Sequence, residues 1–148
     1  MKKTIIATAI ALAAVIPSVF AGGTEPVSRK TIASFNKDFK AAHVLGWQQQ
    51  GLFSVATFNL AGQVMMAYYK PDAMLAAVVH HITTNHLPIL LLTDLKKNYS
   101  DYWITGLFEA AVDGQSQYHL TIENADQTIT LKSSNSSDWE VIKTNRKI

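Results

Sequence analysis

The chain has 148 residues, which is short for two ordinary domains but long enough for one domain with a sizeable core. It contains no cysteine, so disulfide bonds, thiolate chemistry and a lipid anchor on cysteine are excluded. Thirteen basic residues face eleven acidic ones, and two of the basic residues, Lys2 and Lys3, precede every acidic residue. The remaining chain is therefore close to neutral, which argues against a general binder of nucleic acid or of anionic membranes.

The first 21 residues have the organisation of a secretory signal peptide. A short positive region, residues 1–3, is followed by an almost uninterrupted apolar run over residues 4–15. Pro17 ends this run, and the following residues suit cleavage after Ala21. An uncleaved membrane anchor is the alternative, but the run is short for spanning a bilayer. We therefore predict a periplasmic or secreted protein that has no integral membrane segment after cleavage.

Two segments about sixty residues apart show the same helical pattern. Each carries an apolar stripe at the period of about 3.6 residues that is typical of an amphipathic helix. The first stripe consists of Val27, Thr31, Ile32, Phe35 and Phe39. The second consists of Leu87, Leu91, Leu92, Leu95 and Tyr99, and Pro88 is expected in the first turn of its helix. The match indicates an internal repeat.

After each predicted helix the apolar period changes to two, which indicates strands. In the first copy the predicted strands cover residues 43–49, 52–60, 63–70 and 74–83. In the second copy they cover residues 102–112, 117–123, 127–133 and 138–144. Turn signals separate them, and the strongest is Asp113-Gly114, a preferred hairpin dipeptide.

The order of these elements predicts an α+β fold in which one helix and a four-stranded antiparallel sheet occur twice in tandem. We expect a flexible lead over residues 22–26 and a single domain over residues 27–148. The two repeats would cover about 27–84 and about 85–146. The alternation of apolar and polar residues predicts a sheet with one face packed under the helices and the other open to solvent or to a partner.

Four motifs occur together in one order between residues 27 and 104, and the similarity to which they belong covers about residues 27–143. They are the helix with Val27, Phe35 and Phe39, the Val44 and Trp47 pair, the FNLAGQ turn of residues 58–63, and the LP…LKKNYSDYWI stretch of residues 87–104. They resemble the PepSY-like, beta-lactamase-inhibitor-like proteins, a family of small exported proteins frequent in Bacteroidetes. The resemblance implies a fold similar to beta-lactamase inhibitor protein, with two units that form one curved, largely continuous sheet. It implies neither catalytic residues nor inhibition of a beta-lactamase, because function depends on sites rather than on folds.

The sequence contains no recognisable set of catalytic or metal-binding residues. His80 and His81 are neighbours on a predicted strand and point to opposite faces, so at most one of them can join His86 in a site. A His-Glu-x-x-His motif, a Gly-x-Ser-x-Gly elbow and a glycine-rich phosphate loop are all absent. We therefore predict no cofactor, no metal and no enzymatic activity. The alternative is a hydrolase or metal-dependent enzyme whose site is assembled from residues distant in sequence.

Aromatic residues on the predicted strands give the one positive indication of a binding site. Where two are adjacent, as in Tyr68-Tyr69 and Tyr102-Trp103, one of each pair must face away from the core. Exposed Tyr and Trp suit protein or peptide recognition, whereas packing in the core is the alternative role. The predicted binding residues are Trp47, Tyr69, Trp103 and Trp139.

We therefore expect a non-enzymatic domain that binds a protein or peptide on its exposed sheet face. An exposed patch with at least two of the four aromatic candidates, or their strand neighbours, would favour this function. The alternative is an envelope structural or chaperone-like component that acts through sheet-edge pairing, which a long uncharged edge strand would indicate.

Overall fold

The computed structural model describes residues 26–148 of the chain. The predicted signal peptide, residues 1–21, and residues 22–25 of the predicted lead lie outside the described residues. None of the helices described is both long enough and apolar enough to cross a membrane.

Two α-helices and eight strands follow one another in the predicted order. The helices are α1 (Arg29–Asp38) and α2 (Ile89–Asn98), and a short 3-10 helix, Thr84–His86, precedes α2. The strands are β1 (His43–Gln50), β2 (Phe53–Leu60), β3 (Gln63–Tyr69), β4 (Leu75–His81), β5 (Trp103–Val112), β6 (Gln115–Glu123), β7 (Gln127–Ser133) and β8 (Glu140–Arg146). Every predicted strand boundary lies within about two residues of the observed one, which is the usual precision of such boundaries.

All eight strands form one antiparallel sheet, in which neighbours follow the chain order from β1 to β8. β4 and β5 pair directly, from Ala77 opposite Val112 to His81 opposite Phe108. The predicted four-stranded sheets of the two repeats are therefore parts of one eight-stranded sheet, which is the continuous sheet that the resemblance implied. Because β4 pairs with β5, the backbone N–H and C=O groups that face each other across these strands are hydrogen-bonded. In two separate sheets they would remain unpaired at two additional edges.

The two helices begin in different ways. Ser28 caps α1, because its Oγ accepts a hydrogen bond from the Thr31 N–H at 3.1 Å. Pro88, which we expected in the first turn of α2, is instead the extended residue before the helix and makes no side-chain cap bond. Phe35 and Leu91, at the centres of the two predicted stripes, are fully buried, whereas Ile32 of the first stripe is 38% exposed.

Both helices cover the same face of the sheet, which we call the helix face. Phe35 of α1 packs in a cluster that contains Phe58, and Leu91 of α2 packs in a cluster that contains Tyr118. A row of cross-strand partners joins the two clusters through Phe58, Met65, His80, Glu109 and Tyr118. Because directly opposite residues of an antiparallel pair share a face, both helices lie on one side.

The opposite, helix-free face carries an apolar cluster of its own. Its buried members are Val55, Tyr68, Ala76, Ala77, Val79 and Ala110, and no residue of either helix belongs to it. The face that we expected to be open to solvent or to a partner is therefore packed at its centre. The expectation holds better on β6, where Gln117, His119 and Thr121 alternate with buried apolar residues.

Candidate binding site on the helix-free face

Three of the four predicted binding aromatics lie on the helix face. Tyr69 is fully buried, and its hydroxyl donates a hydrogen bond to Asp38 Oδ2 at 2.8 Å. Burial, together with the Asp38 carboxylate, raises the pKa of Tyr69 well above its ordinary value. Trp47 packs beside it with a ring-centroid distance of 6.3 Å. Trp139 packs against the α2 cluster, and its Nε1 donates to the carbonyl oxygen of Leu91 at 3.0 Å.

Trp103 is the exposed member of the four, with 51% of its surface accessible. Its cross-strand partner is Glu123, which places it on the helix-free face at the start of β5. Trp103 Nε1 donates to Glu123 Oε1 at 2.7 Å, and Lys147 Nζ lies 5.4 Å from the ring centroid. The hydrogen bond from Trp103, followed by that from Lys147, lowers the pKa of Glu123. The four candidates therefore do not form one exposed patch, and their binding role stays a prediction.

Adjacent strand aromatics do point to opposite faces, but that rule alone does not predict exposure. Tyr68 lies on the helix-free face and is still only 5% exposed. The Phe53 ring packs against it edge-on with a centroid distance of 6.2 Å. Burial accordingly raises the pKa of Tyr68. In the second pair, Tyr102 packs against the α2 cluster and Trp103 is exposed.

The helix-free face has a cluster of partly exposed side chains that the sequence analysis did not identify. Phe53, Met66, Phe108 and Val112 surround the buried centre of this face and come from β2, β3 and β5. The exposed His81 ring lies on Phe108 with a centroid distance of 4.0 Å. We call these five residues the sheet-face patch. The alternation of Phe108, Ala110 and Val112 with Glu109 and Ala111 was the sequence signal that could have revealed part of it.

His119 lies next to the sheet-face patch and has no hydrogen-bond partner for its Nε2 among the described residues. Its cross-strand partners are Phe108 on one side and Lys132 on the other. Burial, and to a lesser degree the Lys132 ammonium, lowers the pKa of His119 to about 4. The ring is therefore neutral at pH 7.

The enzymatic alternative requires a histidine and a carboxylate within hydrogen-bonding reach in a pocket. His80 Nε2 and Glu109 Oε2 are 3.7 Å apart on the helix face, which is longer than a hydrogen bond. The Ser116 hydroxyl donates to Glu109 Oε1 at 2.6 Å, and the Tyr118 hydroxyl donates to the same oxygen at 3.3 Å. The serine is therefore bonded to the carboxylate and not to the histidine, which is not the arrangement that activates a nucleophile.

A second concave feature of the described residues contains a histidine without a carboxylate beside it. A shallow depression of about 370 Å³ lies where β4 and β5 diverge, and its lining contains His81 but no carboxylate. His86 is held near Thr83, with 3.0 Å between His86 Nδ1 and Thr83 Oγ1. Within residues 26–148, no group of three or more His, Asp or Glu side chains is placed to hold a metal ion.

A single antiparallel sheet of eight strands with two helices on one face is the fold of the BLIP-like proteins, which are named for beta-lactamase inhibitor protein. The fold that the sequence motifs implied is therefore confirmed, whereas the PepSY relationship stays a prediction. No family model matches the chain, and no curated protein matches it.

Three solved structures illustrate the likeness. A BLIP-like protein from Bacteroides fragilis superposes with a TM-score of 0.69 at 17% identity, over 84% of this chain and 89% of that chain. A DUF2874 family protein from Bacteroides uniformis gives a TM-score of 0.71 at 15% identity, over 82% and 90%. A candidate periplasmic protein from Bacteroides eggerthii gives 0.71 at 14% identity, over 82% and 89%. Identities this low show a shared fold and leave function to be argued from the site.

Proposed function

We propose that the mature chain is an exported, non-enzymatic binding protein that recognises a protein or peptide with the helix-free face of its sheet. The observation that carries this proposal is the sheet-face patch, in which partly exposed apolar side chains from three strands lie where neither helix covers them. Removing such surface from water is favourable by about 25 cal/mol of transfer free energy per Å² of apolar area. Contiguous apolar patches on a protein surface commonly mark interaction sites.

Export and the absence of catalysis are parts of the same proposal. Export is supported by the signal-peptide pattern of residues 1–21 and by the similarity to a candidate periplasmic protein. A non-enzymatic role is supported by the geometry around Glu109, where the serine hydroxyl is bonded to the carboxylate instead of to His80. The similarity to a BLIP-like protein favours a protein or peptide as the partner.

Of the four aromatic residues predicted from the sequence, we retain Trp103 as a binding residue. It is exposed and lies on the same face as the sheet-face patch. Its hydrogen bond to Glu123 holds the indole in place, so little side-chain entropy is lost when a partner packs on it. Trp47, Tyr69 and Trp139 contribute indirectly, because they hold the helices on the other face.

We also propose that the two halves of the chain are copies of one unit. α1 and α2 have the same length, and Arg29 and Ile89, their first residues, are about sixty positions apart. The register of β1 shifts between Val44 and Gly46, and that of β5 shifts between Ile104 and Gly106, at the same spacing. A duplication explains why a β-bulge, a feature usually kept within a family, recurs at this interval.

A capture experiment with matched variants tests the binding proposal. The tagged mature protein is incubated with the envelope fraction of its own organism, and bound proteins are identified by mass spectrometry. Val64, 52% exposed, lies two positions from Met66 on the same face of β3. We expect the double variant Val64→Glu with Met66→Glu to lose the partner that the unmodified protein captures, because two carboxylates there oppose apolar contact.

The matched control is Ile89→Glu with Leu90→Glu, which adds the same charge at exposed positions of α2. This control should capture the partner as the unmodified protein does. Circular dichroism and thermal melting establish that both variants are folded. Recovery of no specific partner, or equal capture by the sheet-face variant, contradicts the proposed function.

A further inference from the structure

The two edges of the sheet differ sharply in charge. β1 and β8 are the outermost strands. β1 has eight residues, HVLGWQQQ, and contains no Lys, Arg, Asp or Glu. β8 has seven residues and contains Glu140, Lys143 and Arg146. Because charged residues on an edge strand discourage pairing with other chains, β8 is protected in a way that β1 is not.

The outer side of β1 also makes no backbone hydrogen bond to another segment among the described residues. Within residues 26–148, the backbone hydrogen bonds that lie outside regular helices and strand pairs involve no residue of β1. Leu45 is 55% exposed and Val44 is 36% exposed. The register with β2 is irregular between Val44 and Gly46 and continuous from Gly46 to Gln50. This last stretch therefore presents regularly spaced, unpaired N–H and C=O groups.

We propose that β1 pairs antiparallel with β1 of a second copy of this chain and so joins two eight-stranded sheets. A second copy fits this edge because two uncharged strands related by a two-fold axis bring no like charges together. A different partner would need its own uncharged extended segment, whereas a second copy always supplies one. This inference does not depend on the function proposed for the helix-free face.

The geometry of such a pair follows from the side-chain period of a strand. A two-fold axis at Gln48, perpendicular to the sheet, keeps the helices of both copies on one side. It places Gln48 opposite Gln48, and Trp47 of one copy opposite Gln49 of the other. The contact is a single pair of strands and buries less than the roughly 1,000 Å² expected of a stable interface. We therefore expect a reversible dimer with a dissociation constant in the micromolar range or weaker.

Sedimentation velocity of the mature protein, from micromolar concentrations to about 1 mM, tests the proposal. The unmodified protein should show a concentration-dependent dimer. Gln48 is exposed, so its substitution leaves the fold intact. Gln48→Lys places two ammonium groups opposite each other, and we expect it to weaken dimerisation at least about tenfold. Gln48→Glu should do the same, and an equimolar mixture of the two variants should restore the dimer.

Val141→Lys is the matched control, because Val141 is an exposed residue of the opposite edge strand, β8. It should leave the dissociation constant unchanged. The proposal is overturned if the unmodified protein stays monomeric up to about 1 mM. It is also overturned if Val141→Lys weakens the dimer as much as Gln48→Lys does, or if the mixture of charge variants fails to recover it.

Discussion

Two single residues show how burial sets chemistry in this protein. His119 has a pKa lowered from 6.5 to about 4, first by burial and then by Lys132. Because the folded state resists protonation, His119 contributes stability that is complete above pH 6.5 and is lost as the pH falls towards 4. Tyr69 has a raised pKa because it is buried and bonded to Asp38, so its hydroxyl remains a donor throughout the ordinary pH range.

We expect the free energy of unfolding of His119→Leu to fall less on acidification than that of the unmodified protein. Between pH 7 and pH 4 the unmodified protein should lose about 1–2 kcal/mol through this residue, since partial solvent access to the ring reduces the full effect of the shift. Urea unfolding at pH 7, 5 and 4 measures the difference. His86→Leu, at an exposed position, is the control and should lose stability as the unmodified protein does. An identical loss in His119→Leu would contradict the assignment.

Tyr69→Phe should lower the free energy of unfolding by about 1 kcal/mol, because it deletes the hydrogen bond to Asp38. Tyr68→Phe is the matched control, since Tyr68 is almost as buried and its hydroxyl makes no hydrogen bond within the described chain. Tyr68→Phe should change the free energy of unfolding by less than about 0.5 kcal/mol. Chemical denaturation followed by circular dichroism measures both. Equal effects would show that the bond to Asp38 contributes nothing to stability.

At the scale of secondary-structure elements, the two helices differ in how their first turn is satisfied. α1 has the Ser28 cap, whereas Pro88 at the start of α2 accepts no such bond through its side chain. α2 relies instead on its apolar face, where Leu91 and Leu95 are buried. α1 buries Phe35 and the polar Thr31, and we expect the cap to contribute a larger share of its stability.

Ser28→Ala should therefore destabilise the protein by about 1 kcal/mol, the usual cost of losing an N-cap side chain. The denaturant midpoint measures the change. Ser134→Ala is the control, because Ser134 is exposed in the loop between β7 and β8. Ser134→Ala should leave the midpoint unchanged. If Ser28→Ala also leaves it unchanged, water replaces the hydrogen bond of the cap.

At the scale of the whole molecule, one sheet and one shared cluster join the two halves. β4 of the first half pairs with β5 of the second. The apolar cluster of the helix-free face combines Val55, Tyr68 and Val79 with Ala110. The halves are therefore expected to unfold as one cooperative unit, although their order of elements is the same.

Ile122→Val tests this cooperativity. Ile122 is fully buried in the cluster under α2, so the substitution should cost about 0.5–1.5 kcal/mol. In a background that keeps Trp47 as the single tryptophan, fluorescence reports the first half of the chain. We expect the Trp47 transition to shift by as much as the transition seen by circular dichroism. An unshifted Trp47 transition would show that the halves unfold independently.

The sequence by itself determined the number, order and type of the elements. Apolar side chains recur at about 3.6 residues in α1 and α2 and at two residues in the strands, and these periods are local properties of the chain. The same applies to the hairpin at Asp113-Gly114, where both residues adopt the positive φ that this dipeptide favours. The motifs around Leu87-Pro88 likewise predicted the fold that the solved structures share.

Only the tertiary structure decided which surfaces are free. Tyr69 and Trp103 looked equivalent in sequence, yet one is fully buried and the other is half exposed. The difference comes from Asp38 and Phe35 of α1, which lie more than thirty positions before Tyr69 in the chain and pack on its face of the sheet. The sheet-face patch arises in the same way, because its residues come from strands of both halves. Exposure depends on neighbours distant in sequence, and local periodicity contains no information about them.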